Sequence, residues 1–275
     1  MLFHARMNFF RLLCIPEKII PRSFRKFNIR ANVSTKLITF DATNTLLHFR
    51  EPVGMQYSLI AAHYGVSLDS NIVNSNFVAA FKFFNETLPN FGLNSSVGNW
   101  EAWWTHVVKT TLRKSGAECE EKVLSLIADE LLQYYSTEKP WVVQQGTESF
   151  FLKIRGSGIV VGCISNFDPR LVLILNRLGL RSLFDFILTS YEVGETKPHP
   201  RIFSEALRAS GIYALEAGNA MHVGDNVNLD YHGAKDAGWD AVLFRKPDQP
   251  RTKSMASIPK EDIVTTFDQL FDRIR

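Results

Sequence analysis

Cysteine is scarce in this chain. Its 275 residues hold three, Cys14, Cys119 and Cys163. They are too few and too widely spaced for a disulfide framework or a cysteine metal knuckle, and they suit a reducing compartment. Cys163 lies inside an apolar run and reads as a small buried hydrophobe. Long apolar runs are missing too: none approaches the roughly 18 residues that a membrane-spanning helix requires. There is no internal repeat and no low-complexity segment. Acids are nearly absent from residues 1–30, where seven Lys and Arg face Glu17 alone. This stretch carries +6 of an overall +3, which leaves the rest of the chain at −3. The basic excess therefore belongs to the N-terminal stretch and gives no ground for nucleic-acid binding. Rich in Arg and interleaved with Phe, Leu and Ile, residues 1–33 read either as a mitochondrial transit extension or as a basic extension without an address. The expected location is mitochondrial or cytoplasmic.

The remainder has what a packed domain needs: 45% hydrophobic and 12% aromatic residues. From Lys36 a short β-prone run, LITF, ends at Asp41. Between Glu51 and Pro140 the spacing turns helical, in QYSLIAAHYGV, NSNFVAAFKFFNETL, GNWEAWWTHVVKTTLRKSG and CEEKVLSLIADELLQYYS. The stripe Trp100, Trp103, Trp104, Val107, Val108 and Leu112 in the third of these reads as core. From Val142 onward helical and β-prone segments alternate, and TTFDQLFDRIR closes the chain as a helix. Alternation of this kind predicts an α/β fold, a doubly wound, Rossmann-like parallel sheet. The expected organisation is a basic extension at 1–33, an α/β core formed by 34–52 and 141–275, and an inserted α-helical domain at 53–140.

In an open parallel sheet, ligands bind beyond the carboxyl ends of the strands. Asp41, Ser165 and Asp225 each end a predicted strand, so the architecture alone brings them to one edge. A carboxylate at Asp41 can act as a nucleophile, as a ligand for a hard cation, or as a turn former. The Ser165 hydroxyl and the Asn166 backbone N–H can hold a phosphoryl oxygen. Lys197, in ETKPHP, sits on a loop stiffened by Pro198 and Pro200 and can neutralise phosphate and carboxylate together. Asp225 and Asp230, five residues apart in GDNVNLD, offer the hard oxygens that Mg²⁺ prefers. Together they make a kit for moving a phosphoryl group with Mg²⁺.

The order Asp-x-x-x-Thr (Asp41 to Thr45), Ser-Asn (Ser165, Asn166), Lys-Pro (Lys197, Pro198) and Gly-Asp-x-x-x-x-Asp (Asp225, Asp230) resembles the four motifs of the haloacid dehalogenase-like superfamily of hydrolases. The resemblance covers about residues 36–250. It implies an aspartyl-phosphate formed at Asp41 from a small phosphorylated metabolite and then hydrolysed by water. It implies Mg²⁺ held by Asp41, the Thr43 backbone carbonyl and Asp225, with Asp230 at the edge of that set. Ser165, Asn166 and Lys197 would hold the transferring group. The helical insertion would be the cap that closes over the site.

Thr43 departs from the pattern. Typical phosphatases of the superfamily carry a second Asp there, which protonates the leaving group and activates water. Thr43 occupies this catalytic position without an acid, and losing a general acid typically costs about 10²–10⁴-fold in rate. The segment FDATNTL also resembles the 2-haloacid dehalogenases, which share Phe40, Asp41, Ala42, Thr45 and Leu46 and need no Mg²⁺. It resembles the P-type ATPases as well, which share Asp41, Thr43 and Thr45. The readings ahead of the structure are thus a Mg²⁺-dependent phosphatase or phosphotransferase, a protein of the same fold that binds a ligand or partner without turnover, and a dehalogenase.

Overall fold

The computed structural model describes residues 35–246 and 252–274. The expected basic extension at 1–33 lies outside the described residues.

The first strand, β1 (Leu37–Phe40), is buried along its whole length, as a run of LITF between two layers of helices must be. The chain next forms β2 (Leu47–Phe49), which pairs antiparallel with β3 (Trp141–Val143). Between these two strands lie the helices α1 (Val53–His63), α2 (Ser70–Thr87), α4 (Trp100–Lys114) and α5 (Glu121–Tyr135), with a short turn designated α3 (Pro89–Gly92). The insertion thus leaves and returns through one two-stranded ribbon. Sequence patterning does not show that ribbon, because three-residue strands carry no readable period.

Two insertion helices begin where a side chain satisfies the free N–H groups of the first turn. Asp69 accepts from Asn71 and Ile72, and Asn99 accepts from Ala102. The expected stripe on α4 divides. Trp103, Val107, Val108 and Leu112 are buried, and Trp103 is ringed by Phe81, Phe84 and Phe91. Trp100 and Trp104 are half-buried, pack against the same cluster and also meet Arg170. All six residues of the stripe thus belong to the packed interior of the insertion, with these two at its edge.

After the ribbon the chain alternates as predicted. It runs through α6 (Thr147–Ile154), β4 (Val160–Ser165), α7 (Arg170–Arg177), β5 (Phe186–Thr189), α8 (Ser190–Val193) and α9 (Pro200–Ala209). It continues through β6 (Ala220–Gly224), α10 (Gly233–Asp236), β7 (Asp240–Phe244), β8 (Ile263–Val264) and α11 (Phe267–Ile274). The six-stranded sheet has the order β5-β4-β1-β6-β7-β8, with every pair parallel. The α/β fold is as expected.

Side chains alternate across the sheet with the strand period of two. Ile38 and Phe40 pack on α6, α7 and α11. Leu37 joins Ile202 and Phe203 of α9 in the cluster on the other face. The insertion has its own clusters, around Leu112, Leu124 and Leu131 and around Trp103. Strand order runs outward from β1 through β4 to β5, then returns to start again at β6. The reversal falls between β1 and β6, which is where a doubly wound sheet opens a crevice for ligands. No helix among the described residues is long and apolar enough to cross a membrane.

Candidate active site

Asp41 follows β1, Ser165 ends β4, and Asp225 follows β6. The parallel sheet puts all three at one edge, and the loop before α9 brings Lys197 beneath them. The Lys197 side chain is 1% exposed. Its ammonium donates to Asp41 Oδ1 (2.6 Å), the Ile164 carbonyl (2.8 Å) and Asp230 Oδ1 (2.7 Å). All three N–H donors are thereby used. Burial works against this cation, but the Asp230 and Asp41 carboxylates outweigh it and hold the Lys197 pKa above its ordinary value.

The Ser165 hydroxyl also donates to Asp41 Oδ1, at 3.1 Å. One oxygen of Asp41 is thus fixed by two donors, while Oδ2 accepts no hydrogen bond from the described residues. Burial raises the Asp41 pKa to about 6, with Lys197 opposing that rise and Asp230 adding to it. Asp225 is raised to about 7, first by burial and then by the charges of Asp41 and Asp230, against Lys197 and a hydrogen bond from Asn44.

Asp230 behaves differently from its neighbours. Burial opposes its charge, but Lys197 and His222 hold its pKa below the usual carboxylate range. Its Oδ2 accepts the Asn226 backbone N–H at 2.8 Å, and its Oδ1 meets His222 Nε2 at 3.2 Å. An ionised carboxylate only accepts, so His222 is the Nε2–H tautomer. His222 Nδ1 then takes the Thr39 hydroxyl at 2.8 Å. Burial and nearby Lys197 depress the His222 pKa, so the ring is neutral.

The chain around Asp230 is shaped for this approach. The segment Val227–His232 winds as a wider π-turn, with the Tyr231 N–H bonded to the Asn226 carbonyl at 3.2 Å. The Asn226 side chain caps it by accepting from Asn228 and Leu229. Gly224 makes room, since a Cβ there would overlap Asp230 Cγ. At Gly233 a Cβ would stand 2.8 Å from Pro198 Cβ, so the loop that carries Lys197 also depends on a bare backbone.

Oxygens of Asp41, Asp225 and Asp230 lie within 4.8 Å of one another. With His222 neutral, three carboxylates face the single ammonium of Lys197. Two negative charges are left over, the number that a divalent cation supplies, and an all-oxygen donor set suits a hard one. The residues fit such an ion on charge and on donor chemistry.

The other expected site residues are near. Thr43 is half-buried and lines the same cavity, as does Asn166. The Asn166 side chain is committed elsewhere: its Nδ2 donates to the Lys197 carbonyl (2.9 Å) and its Oδ1 accepts the Lys197 N–H (2.7 Å). Its amide therefore clamps the lysine loop and leaves the Asn166 backbone N–H, the group expected to meet a phosphoryl oxygen, outside that clamp. Sequence reasoning missed His222, Asn44 and Thr39. The available signal was one polar residue in each of two otherwise apolar strands, Thr39 and His222, which stand side by side in register.

Above this floor opens a cavity of about 710 Å³ lined by both sheet loops and insertion helices. Trp104 Nε1 donates to Asp168 Oδ2 at 2.8 Å, and Asp168 holds Arg170 through Nε and Nη2 at 2.9 and 2.7 Å. The Arg170 guanidinium lies over the Trp100 and Trp104 rings at 4.8 and 5.3 Å. These contacts tie α4 to the loop after β4.

A profile of the haloacid dehalogenase-like hydrolases matches residues 35–238. The rhythmically expressed gene 2 protein of Drosophila melanogaster is 36% identical over 216 residues, 77% of this chain and 83% of that one. Human haloacid dehalogenase-like hydrolase domain-containing protein 3 is 35% identical over 235 residues, 86% of this chain and 92% of that one. Among solved structures, an HAD phosphatase from Thermococcus onnurineus superposes with a TM-score of 0.56 at 23% identity, covering 86% of this chain and 97% of that one. A 2-haloacid dehalogenase from Pseudomonas syringae does so with 0.59 at 22%, covering 87% and 98%. Such identities speak for the fold alone, and both chemistries occur on it. With the motifs, the sheet and the relatives in agreement, this chain belongs to the haloacid dehalogenase-like hydrolases.

Proposed function

We propose that the protein is a Mg²⁺-dependent phosphoric monoester hydrolase acting on a small phosphorylated metabolite, with Asp41 as nucleophile. One observation carries this reading. Asp41 has one oxygen held by Lys197 and Ser165 and the other open, beside a carboxylate set that is two charges short of balance.

Asp41 and Asp225, with the Thr43 backbone carbonyl, would hold the ion, and Asp230 stands at its edge because both its oxygens already accept hydrogen bonds. When bound, Mg²⁺ supplies positive charge to the phosphoryl oxygens. Asp41 Oδ2 attacks phosphorus, the bond from phosphorus to the leaving oxygen breaks, and an aspartyl-phosphate results. Lys197, the Ser165 hydroxyl and the Asn166 backbone N–H neutralise and orient the transferring group. The leaving oxygen takes its proton from water, because the Thr43 hydroxyl is no acid near neutral pH. Water then attacks the phosphorus, releasing inorganic phosphate and restoring Asp41. The insertion at 53–140 acts as a cap over the core of 34–52 and 141–275, limiting water and choosing the leaving group.

The test is phosphate release from 4-nitrophenyl phosphate with Mg²⁺ or EDTA, in wild type and Asp41→Asn. Its good leaving group needs little acid help. Turnover that requires both Mg²⁺ and Asp41 supports the reading. A protein that binds phosphate but releases none from any ester would instead be a binding protein of this fold, the alternative that Thr43 favours. Metal-independent halide release from a 2-haloacid would indicate a dehalogenase, which the Asp225 carboxylate argues against. The basic residues 1–33 fit a mitochondrial transit extension or a cytoplasmic protein with a basic extension. Imaging fusions with and without them tests this.

A further inference from the structure

The cavity over Asp41 takes its charge from the α/β core and not from the insertion. Its acidic and basic lining residues all come from outside the insertion: Asp41, Lys197, Asp225 and Asp230 at the floor, and the mutually bonded Asp168 and Arg170 at the side. The insertion contributes no acid, lysine or arginine to the lining. Its wall is dominated by rings, among them Phe77, Phe81, Phe91 and Trp104. A leaving group seated there is stripped of water. A charged one would lose hydration without gaining a partner, whereas a ring would gain ring contacts.

Two polar atoms in that wall stand out. Asn90 Oδ1 and the Tyr135 hydroxyl are both buried, and neither has a partner among the described residues. The orientation of the Asn90 amide follows from its neighbour: the Ser190 carbonyl can only accept, so Nδ2 donates to it at 2.9 Å and Oδ1 is the end left without a partner. Asn90 is held there by unusual backbone. Asn90 (φ 50°) and Phe91 (φ 57°) are consecutive left-handed residues, a conformation that bulky side chains seldom adopt. Phe91 is locked in it edge-on against Trp103, with centroids 5.3 Å apart. Backbone kept in an unfavourable region by its surroundings marks a place where side-chain direction matters. A buried, unpaired carbonyl oxygen among rings calls for a ligand that brings a donor.

We propose that this cavity selects phosphomonoesters whose leaving group is uncharged and aromatic and carries a hydrogen-bond donor, which Asn90 Oδ1 accepts. The inference rests on the phosphatase reading of the floor and adds the substrate class.

Non-hydrolysable phosphonates test recognition apart from turnover. Binding to the full-length wild-type protein in Mg²⁺ is measured by calorimetry for benzylphosphonate, 4-hydroxybenzylphosphonate, phosphonoacetate and inorganic phosphate. Benzylphosphonate is expected to bind at least tenfold more tightly than phosphonoacetate, and the 4-hydroxyl to add a further threefold or more. Asn90→Gly keeps the backbone free to adopt φ 50° and is expected to erase the hydroxyl increment while retaining the preference for the ring. Leu132→Lys, which puts a cation into the insertion wall, is expected to narrow or reverse the ranking against phosphonoacetate. Equal binding of benzylphosphonate and phosphonoacetate overturns the proposal, even if inorganic phosphate binds in a Mg²⁺-dependent way and so upholds the floor. Loss of the hydroxyl increment in wild type overturns the assignment to Asn90. If neither the phosphonates nor inorganic phosphate bind, the phosphatase reading fails and the proposal with it.

Discussion

Replacing Asp225 by Asn is expected to stabilise the metal-free protein while destroying its response to metal. Burial and the charges of Asp41 and Asp230 raise the Asp225 pKa from 3.8 to about 7. Below pH 3.8 the group is protonated in both the folded and unfolded states and contributes nothing. Between 3.8 and 7 it is ionised only in the unfolded chain, so stability falls steadily with rising pH. Above 7 it is ionised in both states and the penalty is complete. At 1.36 kcal/mol per pKa unit that penalty is about 4 kcal/mol. Asp225 retains some contact with water, which lowers the expected gain to about 2–4 kcal/mol.

The assay is urea unfolding followed by tryptophan fluorescence, in EDTA, at pH 5, 6, 7 and 8. Asp225→Asn should exceed wild type by the full margin at pH 8 and by much less at pH 5. Added Mg²⁺ should reverse the order: at 100 times its Kd an ion that binds only the folded state adds about 2.7 kcal/mol, and only wild type should receive it. A variant no more stable than wild type at pH 8, or a margin that does not change with pH, would refute the reasoning. So would equal stabilisation of the two proteins by Mg²⁺.

Lys197→Met should destabilise the protein by about 3–5 kcal/mol, because it leaves the Asp41 and Asp230 carboxylates buried without their cation. It should also move the acid limb of the pH–rate profile for 4-nitrophenyl phosphate to higher pH, since Lys197 now opposes the rise in the Asp41 pKa; an unmoved limb would contradict the assignment. Thr43→Asp should raise kcat on alkyl phosphates by about 10²-fold or more, within the range for a general acid, with little change on 4-nitrophenyl phosphate. An unchanged ratio between the two substrates in a folded variant would show that the missing acid does not limit turnover. Gly224→Ala should displace Asp230 and lower Mg²⁺ affinity, read by metal titration of thermal stability. Wild-type affinity in that variant would show that the close approach at Gly224 is dispensable.

Legibility differed from residue to residue for physical reasons. Asp41, Ser165 and Asp225 could be placed together before any coordinates, because a parallel sheet sends every strand's carboxyl end to the same edge. The strand LITF and the helices of the insertion were equally readable, since burial on both faces and amphipathic spacing are properties of contiguous sequence. The ribbon of β2 and β3 was not, because pairing across almost a hundred residues leaves no mark on three. Trp104 illustrates the same limit on a helix. Spacing puts it on the apolar stripe, where its ring packs, but only the tertiary structure shows its Nε1 reaching Asp168. Nor did the sequence show that the Asn166 side-chain amide holds the backbone of Lys197.

The sequence by itself determined the chemistry on offer: an acid after the first strand, a hydroxyl, a lysine and an acidic pair in a set order, with no acid at Thr43. Tertiary structure decided how that chemistry is shared out. Lys197 divides its three protons between Asp41, Asp230 and a carbonyl, so that Asp230 stays strongly acidic while Asp41 and Asp225 are pushed up toward neutrality. It also decided that the wall the insertion contributes carries rings and the unpaired oxygens of Asn90 and Tyr135 rather than charge. The reason is that pKa and recognition depend on distance, burial and the count of neighbouring charges. These are sums over residues far apart in the chain, and no local pattern contains them.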